Sequence, residues 1–204
     1  TLVNTGGERQ LWKYESGTST QIDTTALPAN LLGIFSLEGV GSDLYFWAED
    51  GHETTTLWKY DGSSLSRVSI DYALGVYYGT SSIASDGTTV YFDALGGLWS
   101  TQGSPASTAP VTSGTPNAGS QIGEPLLVGT TLYFTANDSA HGRELWKTDG
   151  TTTTLVDLVP GVEASNPRLF KAVGNTLYFW ADDPAHGTEL WKYDGTTATR
   201  LTDT

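Results

Sequence analysis

The chain holds 3 histidines, His52, His141 and His186, and each stands among acidic residues. Asn137-Asp138-Ser139-Ala140-His141-Gly142-Arg143-Glu144 and Asp182-Asp183-Pro184-Ala185-His186-Gly187-Thr188-Glu189 align without a gap. In Glu49-Asp50-Gly51-His52-Glu53 the Asp keeps its place, His52 comes one position early, and Thr56 replaces the Glu. Two chemistries suit this pattern. In one, Asp50, Asp138, Asp183, Glu144 and Glu189 accept sugar hydroxyls or hold a hard cation such as calcium, while His141 and His186 donate. In the other, the Asp makes an Asx-turn, the Gly after the His takes a positive φ, and the His bonds within its own blade. Repetition favours the second, because a residue recurring in every unit is most simply explained by a turn that every unit must make. The spacing matches no EF-hand or nonapeptide calcium loop, and a zinc site would need single histidines from separate repeats to converge.

A sugar site also wants an aromatic face. Of the 7 tryptophans, Trp12, Trp58, Trp99, Trp146 and Trp191 recur in one phrase and read as core. Trp47 and Trp180 differ, because the equivalent positions hold Asp93 and Thr135, so packing does not demand an aromatic there. Trp47 and Trp180 are therefore the candidate stacking residues. Catalysis finds no footing. There is no G-x-S-x-G, H-E-x-x-H or P-loop, and glycoside hydrolysis needs two carboxylates roughly 5–10 Å apart, whereas every acidic cluster here belongs to the repeats. With 0 Cys, thiolate metal sites, disulfides and cysteine nucleophiles are excluded. The net charge of −13, from 10 basic and 23 acidic residues, repels a phosphate backbone and leaves nucleic acid a poor partner. No apolar run approaches the ~20 residues of a helical membrane span, so no insertion is expected.

The elements that must carry these residues follow from internal repetition. Leu11-Trp12-Lys13-Tyr14, Leu57-Trp58-Lys59-Tyr60, Leu98-Trp99, Leu145-Trp146-Lys147 and Leu190-Trp191-Lys192-Tyr193 recur at spacings of 46, 41, 47 and 45. Tyr45-Phe46, Tyr91-Phe92, Tyr133-Phe134 and Tyr178-Phe179 recur at 46, 42 and 45. A period of about 40–50 residues with strand-like content is the signature of a β-propeller whose blades are four-stranded sheets. In the second strand of the last repeat, Leu177, Phe179 and Ala181 face one side and Tyr178 and Trp180 the other. Both faces are apolar, as stacked blades require. The Ser/Thr/Pro-rich stretch 101–120 holds the usual fourth strand, connection and first strand, because its phrase-to-phrase distance is ordinary.

The phrase Glu144-Leu145-Trp146-Lys147-Thr148-Asp149-Gly150-Thr151, with Glu189-Leu190-Trp191-Lys192-Tyr193-Asp194-Gly195-Thr196, resembles the bacterial repeat family named for Glu-Leu-Trp-x-x-Asp-Gly-Thr. The match is strict in two repeats, looser at 57–63 and 11–18, and poor at 98–104. The resemblance implies a propeller and an exported protein, secreted or at the cell surface, and assigns no ligand.

The expectation is thus one all-β domain over 1–204: four complete four-stranded blades, at 31–70, 81–113, 124–158 and 167–203, and a half blade at 1–25, which could complete a five-bladed ring. The half blade is expected to lack its first two strands and to leave the edge of 7–14 open to another chain, a route to self-association. The chain starts at Thr1 and is expected to be processed or a fragment. Function is expected to be a non-catalytic extracellular binding module, most plausibly lectin-like, with a glycan or cell-surface polysaccharide as partner. The alternative is a surface or assembly repeat without a small ligand.

Overall fold

Each repeat places β-branched and aromatic residues in four short runs separated by Gly-containing turns, and each run becomes a strand. A computed structural model describes residues 2–5, 8–50, 55–68, 83–94, 97–111, 122–161 and 163–203. The first sheet is β1 (Leu2–Thr5), β2 (Glu8–Glu15) and β3 (Thr18–Gln21); the second is β4 (Leu31–Val40), β5 (Asp43–Asp50), β6 (Thr55–Tyr60) and β7 (Leu65–Arg67). The third is β8 (Ile83–Ser85), β9 (Val90–Ala94), β10 (Gly97–Thr101) and β11 (Ala109–Pro110). The fourth is β12 (Gly123–Val128), β13 (Thr131–Asp138), β14 (Gly142–Thr148) and β15 (Thr153–Val156). The last is β16 (Arg168–Val173), β17 (Thr176–Asp183), β18 (Gly187–Tyr193) and β19 (Ala198–Arg200). Within every sheet the strands pair antiparallel in chain order, the meander of a propeller blade. The protein is an all-β propeller.

The turn from third to fourth strand shows why Asp-Gly recurs. Asp149 Oδ1 accepts from the N–H groups of Thr151 and Thr152 at 2.8 and 2.7 Å, and Asp194 Oδ1 from Thr196 and Thr197 at 2.9 and 2.8 Å. Gly150 and Gly195 then take φ of 86° and 100°, which side chains resist. The Lys of the repeated phrase reaches the next blade: Lys147 Nζ donates to Tyr193 Oη and to the carbonyl of Gly195, at 2.9 and 2.8 Å.

The first strands share an irregularity. Ser36, Glu124 and Leu169 hold φ of 51°, 54° and 56° at equivalent places, and at each the register with the second strand slips. These are β-bulges, which bend the first strand and re-aim its side chains.

Between successive sheets lie four apolar seams built from one set of positions. Tyr45, Trp47, Leu57 and Val68 of the second sheet meet Val90, Phe92 and Ala94 of the third. Tyr133, Leu145 and Val156 of the fourth meet Leu177, Phe179, Ala181 and Trp191 of the last. Trp58, Trp146 and Trp191 are buried as expected, whereas Trp99 is only partly so, beside a fourth strand just two residues long.

The N-terminal unit departs from expectation. Leu2–Thr5 form a strand on β2, with Leu2 opposite Leu11 as Trp47 is opposite Leu57, so the second-strand position is filled and β1 covers the edge of 8–11. No Tyr-Phe phrase marks that strand, which pairs with β2 from Leu2 to Thr5. Contacts between sheets run in chain order, β2 with β4, β4 with β8, β8 with β12 and β12 with β16. Among the described residues no strand of the first sheet makes a comparable contact with the last.

Candidate functional site

The loop between β13 and β14 is held from within. Asp138 Oδ1 accepts from the N–H groups of Ala140 and His141 at 2.8 and 2.6 Å, and Asp138 Oδ2 lies 2.8 Å from His141 Nδ1. Partial burial pushes the Asp138 carboxyl up, but the bonds from His141 and Ala140 outweigh it and hold it below the usual range. The same hydrogen bond raises the His141 imidazole. In the last blade Asp183 Oδ1 accepts from Ala185 N–H at 2.9 Å, His186 Nδ1 lies 3.1 Å from Asp183 Oδ2, and Arg200 Nη1 donates to that oxygen at 2.9 Å. Gly142 and Gly187 carry φ of 70° and 79°. These are the Asx-turns of the structural alternative, and their Asp and His side chains serve the turn first. Asp50 ends β5; His52 and Glu53 lie outside the described residues.

Glu144 and Glu189, counted among the candidate ligand residues, are fully buried. Glu144 Oε1 accepts from Ser165 N–H at 2.7 Å, and Oε2 from Ser165 Oγ at 2.5 Å and Leu158 N–H at 3.3 Å. Burial raises this carboxyl, and the Ser165 and Leu158 bonds oppose that rise. Glu144 therefore pins both ends of the 157–166 connection to its own blade, with Asn166 N–H donating to the Arg143 carbonyl at 3.0 Å beside it. Glu189 accepts from Thr202 Oγ1 in the same way. Where Thr56 replaces the Glu, its Oγ1 accepts from Trp58 Nε1 at 2.8 Å.

The two candidate stacking tryptophans separate. Trp47 is wholly buried, edge-on to Phe92 with ring centroids 5.6 Å apart, and shows no face to a ligand. Trp180, opposite Leu190 as Trp47 is opposite Leu57, is exposed on the outer face of the last sheet. At the same position Asp93 is half-buried, and that burial pushes its carboxyl up to about 6. No three His, Asp or Glu side chains gather to hold a metal among the described residues.

A cavity of about 440 Å³ lies elsewhere, where the first strands β8, β12 and β16 converge, lined by Ile83, Gly123, Glu124, Pro125, Leu126, Arg143 and Phe170. Its polar residues are those in which the repeats differ. Arg143 stands where the last repeat has Thr188, Glu124 where it has Leu169, and Phe170 where the preceding blade has Pro125. Arg143 Nη2 donates to Thr135 Oγ1 at 2.5 Å and occupies the space over Gly123, where a Cβ would meet it at 2.6 Å. In the last blade Arg168, at the Gly123 position, fills the corresponding space from the opposite strand, donating to Asp182 Oδ1 and Thr188 Oγ1 at 3.1 Å each. Each of these two blades thus keeps one guanidinium there, paired with one small residue. Burial lowers the Arg143 guanidinium, and the Glu124 carboxylate beside it works the other way. This cavity lies outside the repeated residues, and the exchange of Gly123/Arg143 for Arg168/Thr188 is the sequence signal for it.

Similar proteins agree with this architecture. No family model matches the chain and no curated protein is similar to it. Among solved structures it is similar to the GH74 enzyme of Niastella koreensis, at 17% identity over 78% of this chain and 28% of that one, TM-score 0.56. It is similar to TolB of Acinetobacter baumannii, at 13% identity over 96% and 49%, TM-score 0.56. It is also similar to a putative TolB of Agrobacterium tumefaciens, at 13% over 99% and 76%, TM-score 0.55. The chain spans about a quarter of the first and half of the second. These likenesses define the class as propeller.

Proposed function

We propose that this propeller is a non-catalytic extracellular binding module, and that it takes a neutral carbohydrate in the cavity between β8, β12 and β16. The observation that carries this reading is the meeting of Arg143, Glu124 and Phe170 in one cavity, at places where the repeats differ. A guanidinium and a carboxylate offer donors and acceptors to vicinal hydroxyls, and an aromatic ring offers a face to the C–H side of a sugar. Because the two charges lie together and the whole chain carries −13, a neutral polyhydroxyl ligand suits the site better than an anionic one. Among the described residues Glu124 is the one carboxylate in the lining, and glycoside hydrolysis needs two, which supports binding without cleavage. The extracellular setting, and membership of the Glu-Leu-Trp-x-x-Asp-Gly-Thr repeat family, rest on the resemblance of the repeated phrase.

One structural neighbour is a xyloglucanase of Xanthomonas campestris, so xyloglucan oligosaccharides are the first probe, followed by other neutral glycans. Calorimetric titration should show saturable binding, lost in Arg143→Ala and Phe170→Ala while circular dichroism stays unchanged. Retention of binding in both variants would move the site; absence of binding across neutral glycans would end the reading. A second reading, an assembly element, is favoured by one observation: the repeated loops spend their polar groups on their own turns.

A further inference from the structure

A lysine closes the turn end of the seam between the fourth and last sheets. Lys147 Nζ donates to Tyr193 Oη and to the Gly195 carbonyl of the next blade, and Tyr193 Oη itself donates to that carbonyl at 2.9 Å. A tyrosine hydroxyl and a turn carbonyl together thus seat a primary ammonium. The seam between the first and second sheets carries the same parts, with Lys13 at the place of Lys147 and Tyr60 Oη donating to the Gly62 carbonyl at 2.7 Å. There Lys13 Nζ lies 2.7 Å from Glu15 Oε2 of its own strand, and a cavity of about 370 Å³ is lined by Lys13, Glu15, Ser16, Thr18, Thr20, Tyr60 and Gly62. The turn explains the difference. Glu15 stands where other blades have Asp61, Asp149 and Asp194, and Ser16 and Gly17, at φ of 50° and 85°, make a two-residue turn across which Glu15 pairs with Thr18. Glu15 therefore stays in its strand. Leu11 is buried in this seam, and Lys13 and Glu15 follow it at every second residue, opposite Thr20 and Thr18, so all four continue the face that meets the second sheet.

We propose that this cavity binds a small zwitterion, a free amino acid. Its ammonium takes the seat formed by Tyr60 Oη and the Gly62 carbonyl, beside the Glu15 carboxylate, and its carboxylate takes Lys13 together with the hydroxyls of Thr18 and Thr20. The lining holds one cation and one anion. A ligand with one of each gives both a charged partner, whereas a simple anion would meet Glu15 and a simple cation would meet Lys13. The Lys13–Glu15 pair can open to receive it, because the two side chains are 44% and 68% exposed and an ion pair so placed is weak. This cavity lies in a different seam from that of Arg143, and its ligand is of a different class from the neutral carbohydrate proposed there.

The test is calorimetric titration of the whole chain with free glycine, alanine and serine, at least one of which should bind saturably. The N-acetyl and amide derivatives of that amino acid each keep one charge, and each should bind roughly tenfold more weakly or worse. Lys13→Ala and Glu15→Ala alter exposed side chains, so dichroism and melting temperature should hold while affinity falls by roughly tenfold or more. Tyr60→Phe keeps the ring and removes the hydroxyl of the ammonium seat, and affinity should fall there too. If Tyr60→Phe lowers the melting temperature, Thr20→Val tests the same cavity from β3. Absence of binding by all three amino acids would overturn the proposal. So would full affinity for the amide, which marks a plain cation site, or for the N-acetyl form, which marks a plain anion site. Undiminished affinity in both Lys13→Ala and Glu15→Ala would place any binding elsewhere and overturn it as well.

Discussion

Glu144 is a buried carboxylate whose three hydrogen bonds end on one inter-blade connection, so its worth is structural. Removing it as Glu144→Ala leaves the Ser165 and Leu158 donors without their acceptor, and bonds to charged groups are worth about 1.5–3 kcal/mol each. Denaturant titration should show a loss of about 2–3 kcal/mol, with hydrogen exchange of 157–166 rising before that of the strands. Asp93 makes a different prediction. Folded, it keeps its proton up to about pH 6, while the unfolded chain releases it near pH 4. Protons therefore favour the folded state between those values, and the melting temperature should climb as pH falls from 6 to 4. The raised His141 adds stability that is full below the unfolded value near 6.5 and is lost as pH rises through its folded value. Below pH 4 the trend reverses, because the backbone N–H groups of Thr197 and Thr196 hold the Asp194 carboxyl down to about 2 and its bonds fail as it is protonated. Asp93→Asn should remove the climb between pH 6 and 4 and keep the acid fall. A profile unchanged in that variant would deny Asp93 its role.

Each seam joins two blades through one aromatic row, which makes the strand-three tryptophans the most costly single losses. Trp146→Ala should destabilise by about 3–5 kcal/mol, since the side chain is buried with Phe134, Leu132 and Tyr91 between two sheets. An unchanged melting temperature would contradict the blade packing. The strands and turns were legible because each repeat states them several times over: Tyr-Phe, Leu-Trp and Asp-Gly-Thr mark second strand, third strand and final turn. What was not legible followed from geometry between blades. Trp47 and Trp180 occupy one register position with one sequence context, yet Trp47 is buried against Phe92 of the next sheet and Trp180 is exposed, a difference made between sheets that no residue of either repeat states. Glu144 resembles a ligand residue in sequence because its partners, Leu158 and Ser165, lie 14 and 21 positions away in a connection of no marked pattern. Leu2–Thr5 escaped notice as a strand because four residues without an aromatic carry no period.

Across the whole molecule, five sheets stack in chain order and a cavity sits among three first strands. The repeated loops and the non-repeated cavity are thus separate surfaces, the first spent on its own turns and the second the proposed binding site. Hydrogen exchange with and without xyloglucan oligosaccharide reads both surfaces in one measurement. Protection is predicted at 123–126 and 168–170, with none at 138–142 or 183–187. Protection confined to those two loops would contradict the account.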